Sequence, residues 1–428
     1  MILRRLKFGE SGVGTTNDRS DGHNGTMSVE SLRQTATENA AASSAVQELA
    51  SALGGHINHC FLVGGAVRDF ALGREPNELD VLVAGNAHEL LSQLGLEGVS
   101  FHERFLTATA GFSFGTVDFA SARRETYSGP GALPDIELCE VEEDRLRRDF
   151  TVNALRIELS SFETIDDEQG WQDLHDRVLR SLRVGSFLED PTRIWRLARY
   201  AGRLGFTVES GTQAEAESAL ASGAMESVSK QRIGAELVRT VDENEPDASI
   251  LAALAWGLIE SSTSPDDAAR AISRMTELVD GSVPRSELRL AAVAGSGFTL
   301  DSADGSELEL GAGLMAVLRD ITRVGELVKR LESATTPSQI DEACSGWAPA
   351  VVALVGERSA LDKVSQWFRE IRTAGLPFGG ADLLSRGVQE GPALGIGLKA
   401  ARAAMLDEGV TDYEKLLEIA VAEAGGES

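Results

Sequence analysis

Cysteine, lysine and long apolar runs are scarce in this sequence, and the scarcity argues against several classes of protein. The three cysteines, Cys60, Cys139 and Cys344, lie far apart and form no CxxC pair, so no disulfide framework is predicted. No stretch reaches the run of about 20 apolar residues that a membrane span requires. The basic start of the chain lacks the apolar segment of a secretory signal. These shortages favour a reducing, cytoplasmic setting.

The charge balance is strongly acidic, with a formal net charge of -27 over 428 residues and a sequence pI near 4.6. Taken alone, this argues against nucleic-acid binding, because phosphate is normally met by a basic surface. However, only six of the 40 basic residues are lysine, and 13 arginines lie between Arg123 and Arg203. A local basic strip can therefore sit on an acidic protein. The composition also favours a high-salt cytoplasm, although a GC-rich genome would deplete lysine too.

Composition and apolar periodicity divide the chain into four segments. Residues 1–40 are rich in Gly, Ser, Thr, Asn and Asp without an apolar period, which predicts a disordered tail. Met27 opens a more helical segment and is an alternative start of the protein. Strand and helix patterns mix in the next segment, and only helical periods follow it. The predicted fold class is α+β, with a mixed-sheet head at 45–160, a helical neck at 161–250 and a helical body and tail at 251–428.

Two glycines follow the first predicted strand. The run Cys60–Val63 is typical of a buried strand and ends at Gly64-Gly65. A helix is predicted over Ala66–Leu72 and a second strand over Leu79–Val83. Glycine lets the backbone approach a phosphate closely, and a helix N-terminus offers free N–H groups and the positive end of its dipole. The turn is therefore a candidate phosphate cradle, although many strand-to-helix turns contain two glycines.

Three carboxylates after this turn suit a metal site. Glu78 and Asp80 are two residues apart, so alternation along a strand would point both to one face. Asp118, between Val117 and Phe119 on a further predicted strand, is the candidate third ligand, with a solvated strand residue as the alternative. Paired carboxylates beside a nucleoside triphosphate commonly hold Mg²⁺ for in-line displacement. We therefore expect a Mg²⁺ site, with Mn²⁺ as the alternative cation.

Several segments of the chain are similar to the ordered motifs of one enzyme family. They are FLVGGAVRDFALGREPNELDVLV, FGTVDFASARRETYSGPGALP, EEDRLRRDFTVNAL, FLEDPTRIWRLARYAGRLGF and VSKQRIGAEL. In this order they resemble the class II tRNA nucleotidyltransferase/poly(A) polymerase family, which includes the bacterial-type CCA-adding enzymes. The resemblance covers about residues 47–415 and implies a polymerase-beta-like head.

The resemblance implies a role for individual residues of the head and neck. The catalytic, metal-binding positions would be Glu78, Asp80 and Asp118. The implied nucleotide-binding residues are Gly64, Gly65, Arg68, Arg147, Arg148, Asp149, Asn153, Asp190, Arg193, Arg196 and Arg199. Among these, the two glycines and Arg68 would cradle the triphosphate.

The implied contacts with the sugar and the base lie at the end of the head and in the neck. Asp149 would accept a hydrogen bond from a ribose hydroxyl, with a helix-terminal charge cluster as the alternative. Asp190 and Arg193 are three residues apart, so they would share one helix face and pair with the edge of the incoming base. Their alternative is a surface ion pair. Arg196 and Arg199 extend the same row and would line the nucleotide or primer path.

Several arginines also have a structural alternative. Arg68 could pair with Asp69 or Glu78 as a bridge that braces the fold. Arg147 and Arg148 are adjacent, so on a helix they would point about 100° apart. One of them would then reach the nucleotide while the other braces the fold.

The implied activity is template-independent addition of nucleotides to an RNA 3′ end. The leading hypothesis is addition of CCA, or of CC or A alone, to tRNA from CTP and ATP, by metal-assisted attack of the primer 3′-hydroxyl. The helical body would contact tRNA by shape and phosphate contacts. A poly(A) polymerase of the same family, acting on other RNA 3′ ends, is the close alternative. A catalytically weakened RNA-binding relative is the other, because Glu78 stands where the family usually has Asp.

Overall fold

The computed structural model describes residues 28–166, 169–243, 247–295 and 305–425, so most of the predicted tail lies outside it. The chain divides into two units, one ending at Ile233 and one beginning at Gly234. Within the described ranges, no helix is both long and apolar enough to cross a membrane.

The first unit contains the β-structure. Its strands are β1 (Cys60–Val63), β2 (Leu79–Val83), β3 (Ser100–His102), β4 (Thr107–Phe112), β5 (Gly115–Ser121), β6 (Arg123–Thr126), β7 (Asp135–Leu138), β8 (Arg156–Glu158), β9 (Thr164–Ile165), β10 (Val178–Leu179) and β11 (Thr207–Val208). One mixed sheet has the order β3-β4-β5-β2-β1-β8-β9. In it β2 and β5 run parallel, whereas the other neighbours are antiparallel. A hairpin of β6 and β7 and a short parallel pair of β10 and β11 complete the set.

The centre of the large sheet forms where the sequence is continuously apolar. Cys60, Leu62, Val81 and Leu82 are fully buried, as expected for strands covered on both faces. The two predicted strands are confirmed with their exact bounds. The α+β fold class is confirmed as well. The neck is not purely helical as predicted, because β9, β10 and β11 lie within residues 161–250. Each of these strands has two residues, which is too short to show a period.

The helices of the first unit begin before β1 and continue into the neck. They are α1 (Val29–Ala42), α2 (Ser44–Leu53), α3 (Gly65–Ala71), α4 (Ala87–Leu94), α5 (Val141–Asp144), α6 (Gly170–Asp176), α7 (Ser186–Glu189), α8 (Thr192–Leu204) and α9 (Ser210–Ala221). Helix α10 (Lys230–Val241) begins in this unit and ends in the second.

The prediction of a disordered tail is wrong for its last part. Ser28 caps α1 by accepting a hydrogen bond from a backbone N–H of the first turn. Leu32, Ala36 and Ala40 are buried along the helix, four residues apart and hence on one face. Because two of these three residues are alanine, the apolar period of α1 is weak, and the polar composition obscured it.

The second unit is helical over its described residues. Besides the end of α10, it contains α11 (Ala248–Ala255), α12 (Pro265–Val279), α13 (Arg285–Ala294), α14 (Ala312–Ile321), α15 (Val324–Ser333), α16 (Pro337–Cys344), α17 (Pro349–Arg358), α18 (Leu361–Gln366), α19 (Gly380–Ser385), α20 (Pro392–Glu408) and α21 (Tyr413–Glu423). Helices α19, α20 and α21 enclose a hydrophobic cluster of their own, centred on Leu383, Ala401 and Ala420.

Two helical glycines of the second unit predict opposite effects of alanine. A Cβ at Gly234 in α10 would overlap the carbonyl oxygen of Leu308, whereas a Cβ at Gly325 in α15 meets no described atom within 4 Å. We predict that Gly234→Ala lowers the free energy of unfolding by about 1–3 kcal/mol through overpacking. Gly325→Ala should raise it by about 0.5–1 kcal/mol, because alanine is the better helix former. Urea denaturation followed by circular dichroism tests both, and shifts of the same sign would contradict the packing around Gly234.

Candidate active site

A glycine turn joins β1 to α3. Gly64 has a φ of +70°, a conformation that favours glycine. A Cβ placed on it would lie 3.5 Å from Asp80 Oδ2 and 3.8 Å from Arg148 Nη1. A side chain here would therefore be strained and would fill the space beside Asp80. Gly65 begins α3, so the predicted strand, glycine turn and helix are confirmed in this order.

The parallel pairing of β2 with β5 brings two predicted carboxylates together. Asp80 is the register partner of Asp118, whose Oδ1 accepts a hydrogen bond from Thr109 Oγ1 at 2.6 Å. Burial raises the pKa of Asp80 to about 6; Arg148 opposes this rise, and the charges of Asp118 and Glu78 add to it. A buried carboxylate repelled by its neighbours is stabilised by a cation. The pair therefore has the chemistry of a cation site.

Glu78 lies outside β2, at an exposed bend before the strand. The expectation that Glu78 and Asp80 alternate along one strand is wrong, because the strand begins only at Leu79. Among the described residues, no three side chains of His, Cys, Asp or Glu come close enough together to hold a metal ion. The charge of Glu78 adds to the raised pKa of Asp80, and the role of Glu78 as a ligand stays a prediction.

Arg68 lies in α3 with only 1% of its surface exposed. Its Nε and Nη2 donate to Asp69 Oδ1 at 3.1 and 3.0 Å, and its Nη1 donates to Asn153 Oδ1 at 2.5 Å. Asp69 Oδ2 accepts a further hydrogen bond from Arg203 Nη2 at 3.3 Å. These contacts match the alternative in which Arg68 braces the fold. They connect the glycine turn to the ribose motif through Asn153.

Asp144 holds both arginines of the ribose motif, although it was not among the predicted site residues. Its Oδ1 accepts from Arg147 Nε at 2.8 Å, and its Oδ2 accepts from Arg148 Nη2 at 3.0 Å and Nε at 3.2 Å. The backbone N–H of Arg123 donates to Oδ1 at 3.2 Å. Burial alone would raise the pKa of Asp144, but Arg147 and Arg148 outweigh burial and lower it.

The prediction that Arg147 and Arg148 lie on one helix and point about 100° apart is wrong. Arg147 ends a short 3-10 helix, and Arg148 after it has an extended backbone. Both guanidinium groups return to the same buried carboxylate, so neither is left without an internal partner. The signal for this role was in the sequence, because Asp144 precedes the two arginines by three and four residues.

Asp149 and Asn153 form the inner part of the ribose motif. Asp149 Oδ2 accepts from Arg196 Nε at 2.6 Å, and Oδ1 accepts from Asn153 Nδ2 at 3.0 Å and from the Phe150 N–H at 2.8 Å. Burial would raise the pKa of Asp149, but Arg196 and these hydrogen bonds lower it. The contact with Arg196 joins the head motif to α8, as the predicted grouping of these residues requires.

Asp190 lies just before α8 and has an extended backbone. The prediction that it shares a helix face with Arg193 is wrong, because α8 begins only two residues later. Asp190 Oδ1 instead accepts from Arg232 Nη2 at 2.7 Å. Arg193 is buried and donates to Ser186 Oγ at 2.6 Å and to the Arg147 carbonyl at 2.7 Å.

The ring of Tyr200 lies close to three of the predicted arginines. The guanidinium carbons of Arg68, Arg196 and Arg199 lie 5.4, 5.5 and 4.8 Å from the ring centroid of Tyr200. Arg196 Nη2 also donates to the Tyr200 hydroxyl at 3.3 Å. Sequence reasoning missed Tyr200, although it stands four residues after Arg196 on one helix, a spacing at which side chains meet.

Several known proteins are similar to this chain in sequence or in structure. A family model described as the poly A polymerase head domain matches residues 60–180. An A-adding tRNA nucleotidyltransferase of Aquifex aeolicus is 40% identical over 190 residues, which cover 43% of this chain and 23% of that protein. Another, of Halalkalibacterium halodurans, is 33% identical over 288 residues, covering 64% of this chain and 66% of that protein. The chain therefore spans less than two thirds of the length of either relative.

A solved structure gives a longer match. The complex of a CCA-adding enzyme with ATP is 25% identical to this chain with a TM-score of 0.68. The match covers 91% of this chain and 97% of the other. Both the sheet-containing head and the helical remainder of the chain therefore follow the fold of that enzyme.

The buried partners of Asp144 predict a pH-dependent loss of stability. We expect Asp144→Asn to lower the free energy of unfolding at pH 7 by about 3–5 kcal/mol, because two guanidinium groups lose their counter-charge. The pKa of Asp144 is lowered in the folded protein. Its contribution is therefore present above the unfolded pKa of about 4 and is lost as the pH falls below that value. The difference in the free energy of unfolding between the wild type and Asp144→Asn should therefore shrink as the pH falls below about 4.

Urea titrations at pH 7 and in steps down to pH 3 measure this difference. Glu143→Gln is the matched control, since Glu143 pairs with Arg124 at the exposed surface and such a pair contributes at most about 1 kcal/mol. The role of Asp144 as a buried counter-charge would be contradicted by either of two results. Asp144→Asn could lower the free energy of unfolding as little as the control does, or by an amount that does not change with pH.

Proposed function

Because the chain belongs to the class II tRNA nucleotidyltransferase/poly(A) polymerase family, we propose that it adds nucleotides to the 3′ end of tRNA without a nucleic-acid template. The proposed reaction adds C, C and A, or part of this series, from CTP and ATP. The observation that carries the proposal is the register of Asp80 with Asp118 beside the Gly64 turn. Asp80 thus lies beside a turn that carries no side chain, and Asp118 is its neighbour on the next strand.

Asp80 and Asp118 are the residues that would hold a Mg²⁺ ion. Their chemistry fits this cation, since Mg²⁺ prefers oxygen ligands and is commonly bound by one or two carboxylates together with substrate phosphates and water. The raised pKa of Asp80, caused by burial and by its acidic neighbours, fits it too, because a cation would offset both effects. When bound, such an ion supplies charge neutralisation and a more acidic attacking hydroxyl.

The chain's own residues would bind and orient the nucleotide. Gly64 keeps the space beside Asp80 open, and Arg148 places positive charge next to the same turn. Asp190 offers an acceptor and Arg193 offers donors to the base edge. These arginines supply local positive charge on a chain whose net charge is -27, which is what a polyanionic substrate requires.

Addition of A alone is the second candidate function. The two relatives described above, from Aquifex aeolicus and Halalkalibacterium halodurans, are both A-adding tRNA nucleotidyltransferases. A chain with this specificity would act on tRNA that already ends in CC. The distinction concerns which primer is extended, so one assay separates the two functions.

Primer extension on the purified full chain tests the proposal. The primers are tRNA ending before CCA, tRNA ending in CC, complete tRNA and an unrelated RNA, each with CTP, ATP or both, and with Mg²⁺ or Mn²⁺. We expect extension of an incomplete tRNA and arrest after the terminal A. Extension of only the CC-ending tRNA would identify the A-adding function. No incorporation with either cation, at low and at high salt, would contradict the proposal, and long A tails on the unrelated RNA would replace it with poly(A) polymerase activity.

The same assay decides what Glu78 does. Glu78→Asp should change the rate by no more than about threefold, because Glu78 acts through its charge and aspartate keeps that charge. Asp118→Asn should lower the rate by about 100-fold or more, since it removes charge from the carboxylate pair. A large gain in Glu78→Asp would instead mean that the natural site is weakened, as the RNA-binding alternative requires.

A further inference from the structure

A cavity of about 680 Å³ lies within the second unit, between α16 and α20. The α16 side chains that line it recur at the spacing of one helix face. They are Ser338, Asp341, Glu342 and Ser345. The volume falls in the range of about 300–1,000 Å³ that small-molecule sites occupy. Because the proposed active site belongs to the first unit, this cavity is a separate feature of the chain.

Four partly exposed apolar side chains also line the cavity. They are Leu376, Phe378, Leu398 and Leu406. The ring of Phe378 is held by an edge-on contact with the ring of Tyr413, and the two centroids are 5.6 Å apart. Removal of such apolar surface from water is favourable. A ligand with an apolar part would therefore be stabilised in this cavity.

The guanidinium of Arg402, on the α20 side of the cavity, is fully engaged within the chain. Its Nη2 donates to the Ile371 carbonyl at 3.0 Å, its Nη1 to the Ala374 carbonyl and its Nε to Asp341. Asp341 also accepts a hydrogen bond from Trp367 Nε1 at 3.3 Å. Every guanidinium nitrogen thus has an acceptor in the protein. Arg402 therefore braces the cavity, and its charge is already balanced by Asp341.

The other ion pair of the cavity is open to solvent. Lys399 Nζ donates to Glu342 Oε1 at 2.6 Å, and the two side chains are 66% and 61% exposed. In the part of the chain that the structure describes, no residue donates a hydrogen bond to Glu342 Oε2. An exposed pair of this kind contributes little to stability. The ammonium of a ligand could therefore replace that of Lys399 at small cost.

We propose that this cavity binds an organic cation, with an ammonium group joined to an apolar body. The ammonium would pair with Glu342, and the apolar body would lie against the leucines and Phe378. An aromatic ring adds to the attraction when a cation lies over its face. The site goes beyond the proposed nucleotide addition and does not depend on it.

The charges around the cavity favour a cation over an anion. An anion bound to Lys399 would lie beside the carboxylate of Glu342 and be repelled by it, whereas an ammonium would be attracted. The net charge of the whole chain is -27, and a field of this sign raises the local concentration of cations. A neutral molecule of the same shape would gain only from the apolar lining.

The bound molecule would also strengthen the junction between α16 and α20. Polar contacts bridge these helices at Ser338, whose N–H donates to Asp407 Oδ1 at 2.8 Å, and at the two ion pairs described above. A ligand that touches both helices adds a contact with each of them. Amide hydrogens of α16 and α20 should therefore exchange more slowly when the cavity is filled.

The test is a titration of the full chain with hexylammonium, followed by saturation-transfer NMR of the probe, with 1-hexanol and hexanoate as neutral and anionic matches. We expect saturable binding that is strongest for hexylammonium. Glu342→Gln should weaken it by about 10-fold, because a charge-assisted hydrogen bond is lost. Lys399→Met should strengthen it by up to about fivefold, because the competing ammonium is removed. Glu414→Gln breaks a similarly exposed ion pair with Arg386 and should leave the affinity unchanged.

The two lysine and glutamate variants separate a cation site from an anion site, since the latter requires Lys399→Met to weaken binding. The inference would be overturned by hexanoate binding more tightly than hexylammonium, by equal binding of all three probes, or by no saturable binding of hexylammonium. An equal loss of affinity in Glu342→Gln and Glu414→Gln would also overturn it. Hydrogen exchange that slows elsewhere in the chain but not in α16 and α20 would place the probe outside this cavity and refute the site.

Discussion

The parallel pairing of β2 with β5 fixes the relative position of the two carboxylates on which the proposed cation site depends. Val81 is the register partner of Phe119, and both are fully buried. A slip of one residue would turn these apolar side chains outward and drive Asp80 into the core. Because the core forbids that slip, Asp80 and Asp118 must stand side by side at the same level of the sheet. The packing of Val81 and Phe119 thus determines where the two carboxylates lie relative to each other.

Buried charges near Asp80 form a network of their own, and two of its arginines, Arg148 and Arg196, lower the pKa of Asp80. Asp69, Asp144 and Asp149 are each at most 5% exposed, and each binds at least one arginine. Breaking a buried pair by removing one partner typically costs about 3–5 kcal/mol, so these arginines have little freedom to reorient. The network is therefore rigid. It connects the glycine turn, the ribose motif and α8.

The sequence predicted the elements whose signal is local. The bounds of β1 and β2 were right because short, mainly apolar runs are flanked by glycine or polar residues. Alternating polarity identified Asp118 as a third carboxylate on a further strand, whereas its register with Asp80 is seen only in the structure. Glu78 and Asp190 were misplaced because each lies just outside an element, and tertiary contacts decide where a strand or helix begins.

Partnerships between distant residues could not be read from spacing. Arg232 meets Asp190 across 42 positions, and Arg68 meets Asn153 across 85. The sequence around an arginine does not indicate which distant carboxylate or amide it will bind after folding. The sequence therefore identified most of the charged residues of the site but not which of the distant ones would pair. Asp144 differs, because its spacing of three and four residues from Arg147 and Arg148 is a local signal.

A titration of Mn²⁺ in the presence of CTP, followed by electron paramagnetic resonance, would show whether Asp80 and Asp118 act as one cation-binding pair. Mn²⁺ replaces Mg²⁺ at oxygen sites and reports binding without requiring turnover. The predicted result is a tight site in the wild type that is lost in both Asp80→Asn and Asp118→Asn. It should be kept in Asp135→Asn, which changes an exposed carboxylate of β7. Equal Mn²⁺ binding by the wild type and all three variants would contradict the pair as the centre of the site.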